Sequence, residues 1–415
     1  MDDVQRRLEA VWRIEGPRIT ASVAKMTGDL GLAEDVTQEA VLEALAAWSG
    51  SGIPNNPGAW LTAVAKRRAI DAWRRRERLD ERYAAIARTL EEASDDDWQP
   101  IADDVLRLIF TACHPALSRE SQVALTLRVV AGLTTEEIAR MLLVGVPTVQ
   151  ARITRAKKSL AAARVPFETP DPNEFADRLS AVLGVVYLVF TEGYAATAGE
   201  RWVRPDLADE AIRLGRVVVG LLPREPEPLA LLALLEFQRS RFAARVGASG
   251  VPVLLADQDR SRWDRAQIQR AVGLLQRADA AARARGTGRG AYALQAAIAQ
   301  CHALAPSVDE TDWARIVTLY EVLRRVAPNP VVDLNRAVAV SMAQGPAEAL
   351  PMVDALEQAG ALRGSHLVPS VRGELLARLG RLDEARAELL TAASLCTNAA
   401  QQRVLRAKAA ALTAR

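Results

Sequence analysis

Three observations on this 415-residue sequence predict an all-α fold. Alanine, leucine and arginine dominate, runs of alternating β-branched residues are nearly absent, and apolar residues recur at helical spacing almost throughout. Hydrophobic residues at 50% and charged residues at 25% fit a globular chain rather than a disordered one. At roughly 150 residues per domain, the length suits two to four domains. Lys+Arg 53 against Asp+Glu 51 leaves a net charge of +2, so global charge predicts no polyanionic partner. Cys113, Cys301 and Cys396 are too scattered for a disulfide framework. Met1-Asp2-Asp3 is acidic and no apolar signal segment follows it. The longest apolar stretch, Leu179 to Phe190, has 12 residues, too few to span a bilayer. The expectation is a cytoplasmic protein without membrane contact.

Charge divides the chain more sharply than hydrophobicity does. Lys66 to Arg78 carries a local +5, Asp80 to Asp104 a local −7, and Arg140 to Arg164 a local +6 with no acid at all. The N-terminal part thus reads as two basic modules joined by an acidic tether. Pro166, Pro170 and Pro172 form a second boundary that no helix crosses. The predicted organisation is 1–78, an acidic linker 79–104, 105–165, a proline-rich linker 166–172 and a helical region 173–415.

In the first module, Gly31 to Trp48 reads as one helix with Val36, Ala40, Ala44 and Trp48 on its apolar stripe. Asp35, Gln38 and Glu39 share the opposite, polar side. Composition alone makes that a solvated face. Ile53 to Gly58 is a rigid, polar turn. A helix from Ala59 then places Leu61, Val64, Ala65, Ala69, Ala72 and Trp73 on one face. Lys66, Arg67, Arg74 and Arg75 point elsewhere, an arrangement suited to phosphates.

In the second module, Glu120 to Val130 is a helix stopped by Gly132. Thr134 and Glu137 have capping-box spacing at the start of a short helix carrying Ile138, Ala139 and Leu142. A tight turn through Gly145-Val146 leads to Pro147, well placed to open a helix. Val149, Ile153, Ala156 and Leu160 form the apolar face of that helix. Thr148, Gln150, Ala151, Arg152, Arg155 and Lys157 occupy the others. This is the helix-turn-helix plan, whose second helix enters the major groove.

Together the modules resemble the extracytoplasmic-function sigma factors of bacterial RNA polymerase. The resemblance is carried by Ala33-Glu34-Asp35-Val36-Thr37-Gln38-Glu39 and by Val64-Ala65-Lys66-Arg67-Arg68-Ala69-Ile70-Asp71 with Arg74-Arg75. Gly132 to Ala139 and Thr148 to Lys157 complete it. It covers roughly residues 1–165. It implies that Asp35, Gln38 and Glu39 bind the clamp helices of the largest subunit of core RNA polymerase. It also implies that the Ile53–Gly58 loop with Asn55 and Asn56 holds a flipped base of the −10 promoter strand. Lys66, Arg67, Arg74 and Arg75 would grip the melted strand. Thr148, Gln150, Ala151, Arg152, Arg155 and Lys157 would read the −35 duplex. Arg67 stands where such factors often have Asn, and Pro147, Gln150 and Ala151 where Gly, Arg or Lys, and Ser are common. The −35 preference is therefore expected to differ from that of typical members.

Small factors of this class end near residue 165. The remaining chain resembles the helical extension of one subgroup, through Thr191-Glu192-Gly193-Tyr194, Asp257 to Asp264 and Leu334 to Val340. That resemblance implies control of activity by the extension, with a regulatory protein or ligand as its partner. The residues themselves show a repeat: Ala349 and Val353 correspond to Ala385 and Leu389 at an offset of 36, close to the tetratricopeptide period. Asp257 to Asp264 packs five charges around Trp263; the functional reading is a ligand or partner site, and an interhelical ion-pair network capping Arg262 or Arg265 is the expectation favoured over it. Cys113-His114 and Cys301-His302 lack metal-ligand spacing, and Gly286 to Gly290 lacks a nucleotide-binding frame. No cofactor, metal or catalytic constellation is expected. The rival readings are a stand-alone helix-turn-helix regulator with a sensing tail and a tetratricopeptide-type scaffold.

Overall fold

The computed structural model describes residues 3–76, 102–195, 202–247 and 252–412. Nineteen α-helices and no strand occur among them, and one isolated bridge pairs Val246 with Pro252. The chain divides into two units, residues 1–185 and 186–415.

The first unit opens with α1 (Asp3–Thr27), α2 (Leu30–Ser51) and α3 (Pro57–Arg76). Gly28, at φ +65°, takes the left-handed turn that ends α1. The Asp29 carboxylate then accepts from the Leu32 amide and caps α2. Val36, Ala40, Ala44 and Trp48 are all buried, as their spacing requires. They pack with Leu61, Val64, Ala65 and Ala69 of α3, and Trp48 meets Trp60 edge-on with centroids 5.4 Å apart.

Four helices follow: α4 (Ala102–Ala112), α5 (Arg119–Val129), α6 (Thr135–Leu142) and α7 (Val146–Ala162). Gly132, at φ +70°, ends α5 as expected. The capping box of α6 is complete: the Glu137 amide donates to Thr134 Oγ1, and the Thr134 amide donates to Glu137 Oε2. In the next turn Leu143 adopts the left-handed conformation at φ 52°, and Gly145 is extended and caps α7. Val149, Ile153, Ala156 and Leu160 are buried. The expected linker 79–104 lies mostly outside the described residues. Its last residues belong to α4, where Asp104 pairs with Lys25 and Arg107. The helix α8 (Pro172–Tyr194) starts with Pro172, and Phe175 meets Phe110 edge-on.

The second unit takes in the end of α8 and eleven further helices. They are α9 (Pro205–Leu221), α10 (Pro226–Arg239), the short α11 (Phe242–Arg245), α12 (Arg265–Ala284), α13 (Ala291–Leu304), α14 (Trp313–Val326) and α15 (Pro330–Ala343). The last four are α16 (Pro346–Gln358), α17 (Leu367–Arg378), α18 (Leu382–Leu395) and α19 (Ala399–Ala411). Every residue from Pro228 to Phe237 is buried, so α10 is the central helix of its neighbourhood, against α12 and α13. Ala349 and Val353 of α16, and Ala385 and Leu389 of α18, are all buried at equivalent positions. A Cβ on Gly373 would lie 2.9 Å from Leu389 Cγ and 3.2 Å from the Ala385 carbonyl, so glycine sets how closely α17 and α18 approach.

Candidate functional site

The face of α2 expected to meet a partner is presented as the sequence implies. Asp35 and Glu39 are exposed and Gln38 is half-buried beside them. None of the three is without local context. Glu39 accepts from Arg68 at 2.6 Å, and Glu43, one turn on, accepts from both Arg67 and Arg68. Hydrogen bonds from Arg68 hold the Glu43 carboxyl below the usual carboxylate range. Arg67 is exposed and Lys66 half-buried on α3. The backbone of Arg74 and Arg75 continues α3, while their side chains lie outside the described residues. Asn55 and Asn56 are exposed at the turn before α3, and Asn56 Oδ1 accepts from the Ala59 amide at 3.0 Å. The expected base-binding loop is therefore also the cap of the basic helix.

On α7, Thr148, Gln150, Ala151 and Arg155 are exposed and Arg152 is half-buried. These five stand on the outward side of a helix anchored by Val149, Ile153 and Ala156. Lys157 is placed differently. Its ammonium donates to Glu34 and, at 2.6 Å, to Asp35. A residue expected to face DNA and a residue expected to face the polymerase thus neutralise each other.

Glu34 is the centre of this contact and sequence reasoning missed its role. It is only 5% exposed, and it accepts from Arg128 Nε at 2.8 Å as well as from Lys157. Burial opposes its ionisation, but Arg128 and Lys157 outweigh burial and hold the carboxyl below its ordinary value. Burial likewise disfavours the charged Lys157, yet Glu34 and Asp35 raise it above the usual lysine range. A signal was present: Leu30, Ala33, Glu34 and Thr37 share the helix face that is buried. A carboxylate on such a face needs a cationic partner. The same two parts of the unit are also joined by Arg13 to Glu137 at 3.0 Å and Lys25 to Asp104 at 3.2 Å.

The expected ion-pair network at Asp257–Asp264 is not formed among the described residues. Asp259 and Asp264 instead accept from the Ser261 and Gln267 amides, capping the turn and α12. Arg260 points inward and donates to the carbonyls of His302 and Ala305, with its guanidinium 4.7 Å from the buried Trp263 ring. Backbone carbonyls and an aromatic face meet this arginine, and its Nη2 is buried without a partner.

Comparisons with known proteins fall on the same parts of the chain. Residues 12–79 match sigma-70 region 2, residues 107–160 match sigma-70 region 4, and residues 178–279 match a family of unknown function, DUF6596. An uncharacterized protein of Rhizobium meliloti is 43% identical over 402 residues, which is 94% of this chain and 92% of that one. The ECF RNA polymerase sigma factor SigK of Mycobacterium ulcerans is 28% identical over 147 residues, which is 34% of this chain and 78% of that one. No solved structure matches. No helix among the described residues is long and apolar enough to cross a membrane.

Proposed function

Because the chain belongs to the extracytoplasmic-function branch of the sigma-70 family and carries a long extension beyond region 4, we propose that it recruits core RNA polymerase to promoters through two surfaces that its free form holds together. In this reading Asp35, Gln38 and Glu39 of region 2 bind the polymerase clamp. Asn55, Asn56, Lys66, Arg67, Arg74 and Arg75 take the melted −10 strand. Thr148, Gln150, Ala151, Arg152 and Arg155 read the −35 duplex, joined by Lys157 once it is released. The extension controls when this happens.

The observation that carries the proposal is the Lys157–Asp35 contact, with Glu34 beneath it. The −10 and −35 elements are about 25 base pairs apart, roughly 85 Å of duplex at 3.4 Å per step. The longest helix of region 2, with 25 residues, spans only about 38 Å at 1.5 Å per residue. Regions 2 and 4 touching at Lys157 and Asp35 cannot occupy both elements at once. Binding therefore requires the pair to break, and the acceptor Asp35 is itself in the set assigned to the polymerase. Engagement of Asp35 by the clamp would remove one of the two carboxylates that hold Lys157 and leave it on Glu34 alone, which loosens the closed contact and couples polymerase binding to promoter reading. Exposure of Thr148, Gln150 and Arg155 in the closed form supports a −35 surface that needs repositioning rather than refolding.

The test is in-vitro transcription with bacterial core polymerase on the gene's own upstream region. The full chain should give start-site-specific transcripts that core alone does not. Replacing Asp35, Gln38 and Glu39 with alanine should abolish core capture. Replacing Gln150 and Arg155 should leave capture intact and remove promoter selectivity. No transcript and no core capture by the unaltered chain would reject the proposal and favour a stand-alone regulator.

A further inference from the structure

We propose that the second unit contains a binding site for a small organic carboxylate with a planar, apolar body. The site is a cavity of about 460 Å³ between the end of α8, α10, α11, α13 and the Pro252–Gln258 segment. That volume is within the range of small-molecule pockets. It stands independently of the sigma-factor reading.

Charge is the first argument. Arg241 and Arg245 line the cavity, no Asp or Glu does among the described residues, and the two arginines are only 8% and 6% exposed. Among the described residues, no carboxylate pairs with either of them or with the neighbouring Arg260. Buried guanidinium groups are ordinarily matched by an anion, because desolvation of the charge is otherwise uncompensated. Among the described residues the Tyr194 hydroxyl and carbonyl are what these charges meet, and space lies beside them.

Hydrogen bonding is the second argument. Arg241 donates to Tyr194 Oη at 2.5 Å and to Gln238, and Arg245 donates to the Tyr194 carbonyl at 2.9 Å. Each arginine uses only its Nη2 in these bonds, leaving further N–H donors on both. Arg245 Nε is buried without a partner, as are Gln258 Oε1 and His302 Nδ1 on the same wall. Two guanidinium groups with donors to spare suit the two oxygens of a carboxylate.

The rest of the wall argues for a planar body. Tyr187, Phe190, Tyr194, Trp202 and Tyr320 line the cavity. The Arg245 guanidinium already lies 3.4 Å from the Tyr194 ring centroid, so this corner presents a flat cationic and aromatic surface. Three separated stretches of the extension each contribute: Tyr194 from one, Gln258 from the second and Asn335 from the third.

The experiment uses the full chain and indole-3-carboxylate as probe, with indole-3-carboxamide as its neutral counterpart and inorganic phosphate as a bare anion. Titration is read by calorimetry and by quenching of tryptophan emission, since Trp202 is in the wall. The expected result is saturable one-to-one binding of the carboxylate, at least tenfold tighter than the amide and weakened at least tenfold in Arg245→Gln. A second readout needs no variant: in the unaltered chain, the probe should protect Arg241 and Arg245 from phenylglyoxal, mapped by peptide mass spectrometry, and leave the surface Arg406 reactive. Absence of saturable binding, equal binding of carboxylate and amide, or labelling of Arg241 and Arg245 undiminished by the probe would each overturn the proposal. Protection by phosphate equal to that by indole-3-carboxylate would overturn the planar body.

Discussion

At the scale of single residues, Glu34 concentrates the energetics of the first unit. It is nearly inaccessible and faces two cations, so removing its charge leaves Arg128 without its carboxylate partner and Lys157 with Asp35 alone. Breaking one partner of such a buried pair costs about 3 kcal/mol, and Glu34→Gln should lower urea stability of the first unit by that order. The pH dependence follows from the same geometry. A carboxyl whose folded-state pKa is depressed contributes stability in full above its ordinary value, here 4.5, and loses it as pH falls through the lower folded value. The acid limb of the stability profile should therefore begin below about pH 4.5 and flatten in Glu34→Gln, as urea midpoints across pH 3 to 7 would reveal. Arg155 is the contrasting case, exposed and with no role in the closed contact. Arg155→Ala should leave stability unchanged, weaken binding to promoter duplex and reduce the salt slope of that binding by about one.

At the scale of elements, most of the fold was legible because helix periodicity and capping are local. The stripe Val36, Ala40, Ala44, Trp48 and the Thr134–Glu137 box are in place, and the four residues spaced 36 apart are buried. The turn between α6 and α7 lies where the sequence places it, but its left-handed residue is the 56% exposed Leu143, although glycine is what that conformation favours. A non-glycine residue there costs about 1 kcal/mol, so Leu143→Gly should raise the thermal stability of the helix-turn-helix measurably. The opposite holds at Gly373, where a side chain would meet Leu389 and the Ala385 carbonyl. Gly373→Val should destabilise the α17–α18 pair by about 1–3 kcal/mol, visible as an earlier transition in thermal unfolding.

At the scale of the whole molecule, ion pairs join the two modules of the first unit. Arg13 and Glu137 form one of those links and belong to neither proposed binding surface. A short bis-maleimide bridging Arg13→Cys and Glu137→Cys should abolish core-dependent transcription, while each single-cysteine chain treated alike should retain it. Transcription undiminished in the bridged chain would show that the modules need not part. The sequence alone determined the helical class, the two basic modules and the 36-residue spacing, each of which rests on spacing within one helix or on charge along a short stretch. The residues of the expected surfaces were named by the family resemblance. Tertiary structure alone decided that Glu34 is buried, that Lys157 is held by Asp35, and that Arg260 meets carbonyls instead of an acid. It also gathered Tyr194, Arg241, Arg245 and Gln258 around one cavity. Those outcomes depend on which residues, distant in sequence, exclude water from one another. Desolvation, which sets the worth of a charge, is a property of the packed assembly and not of any segment.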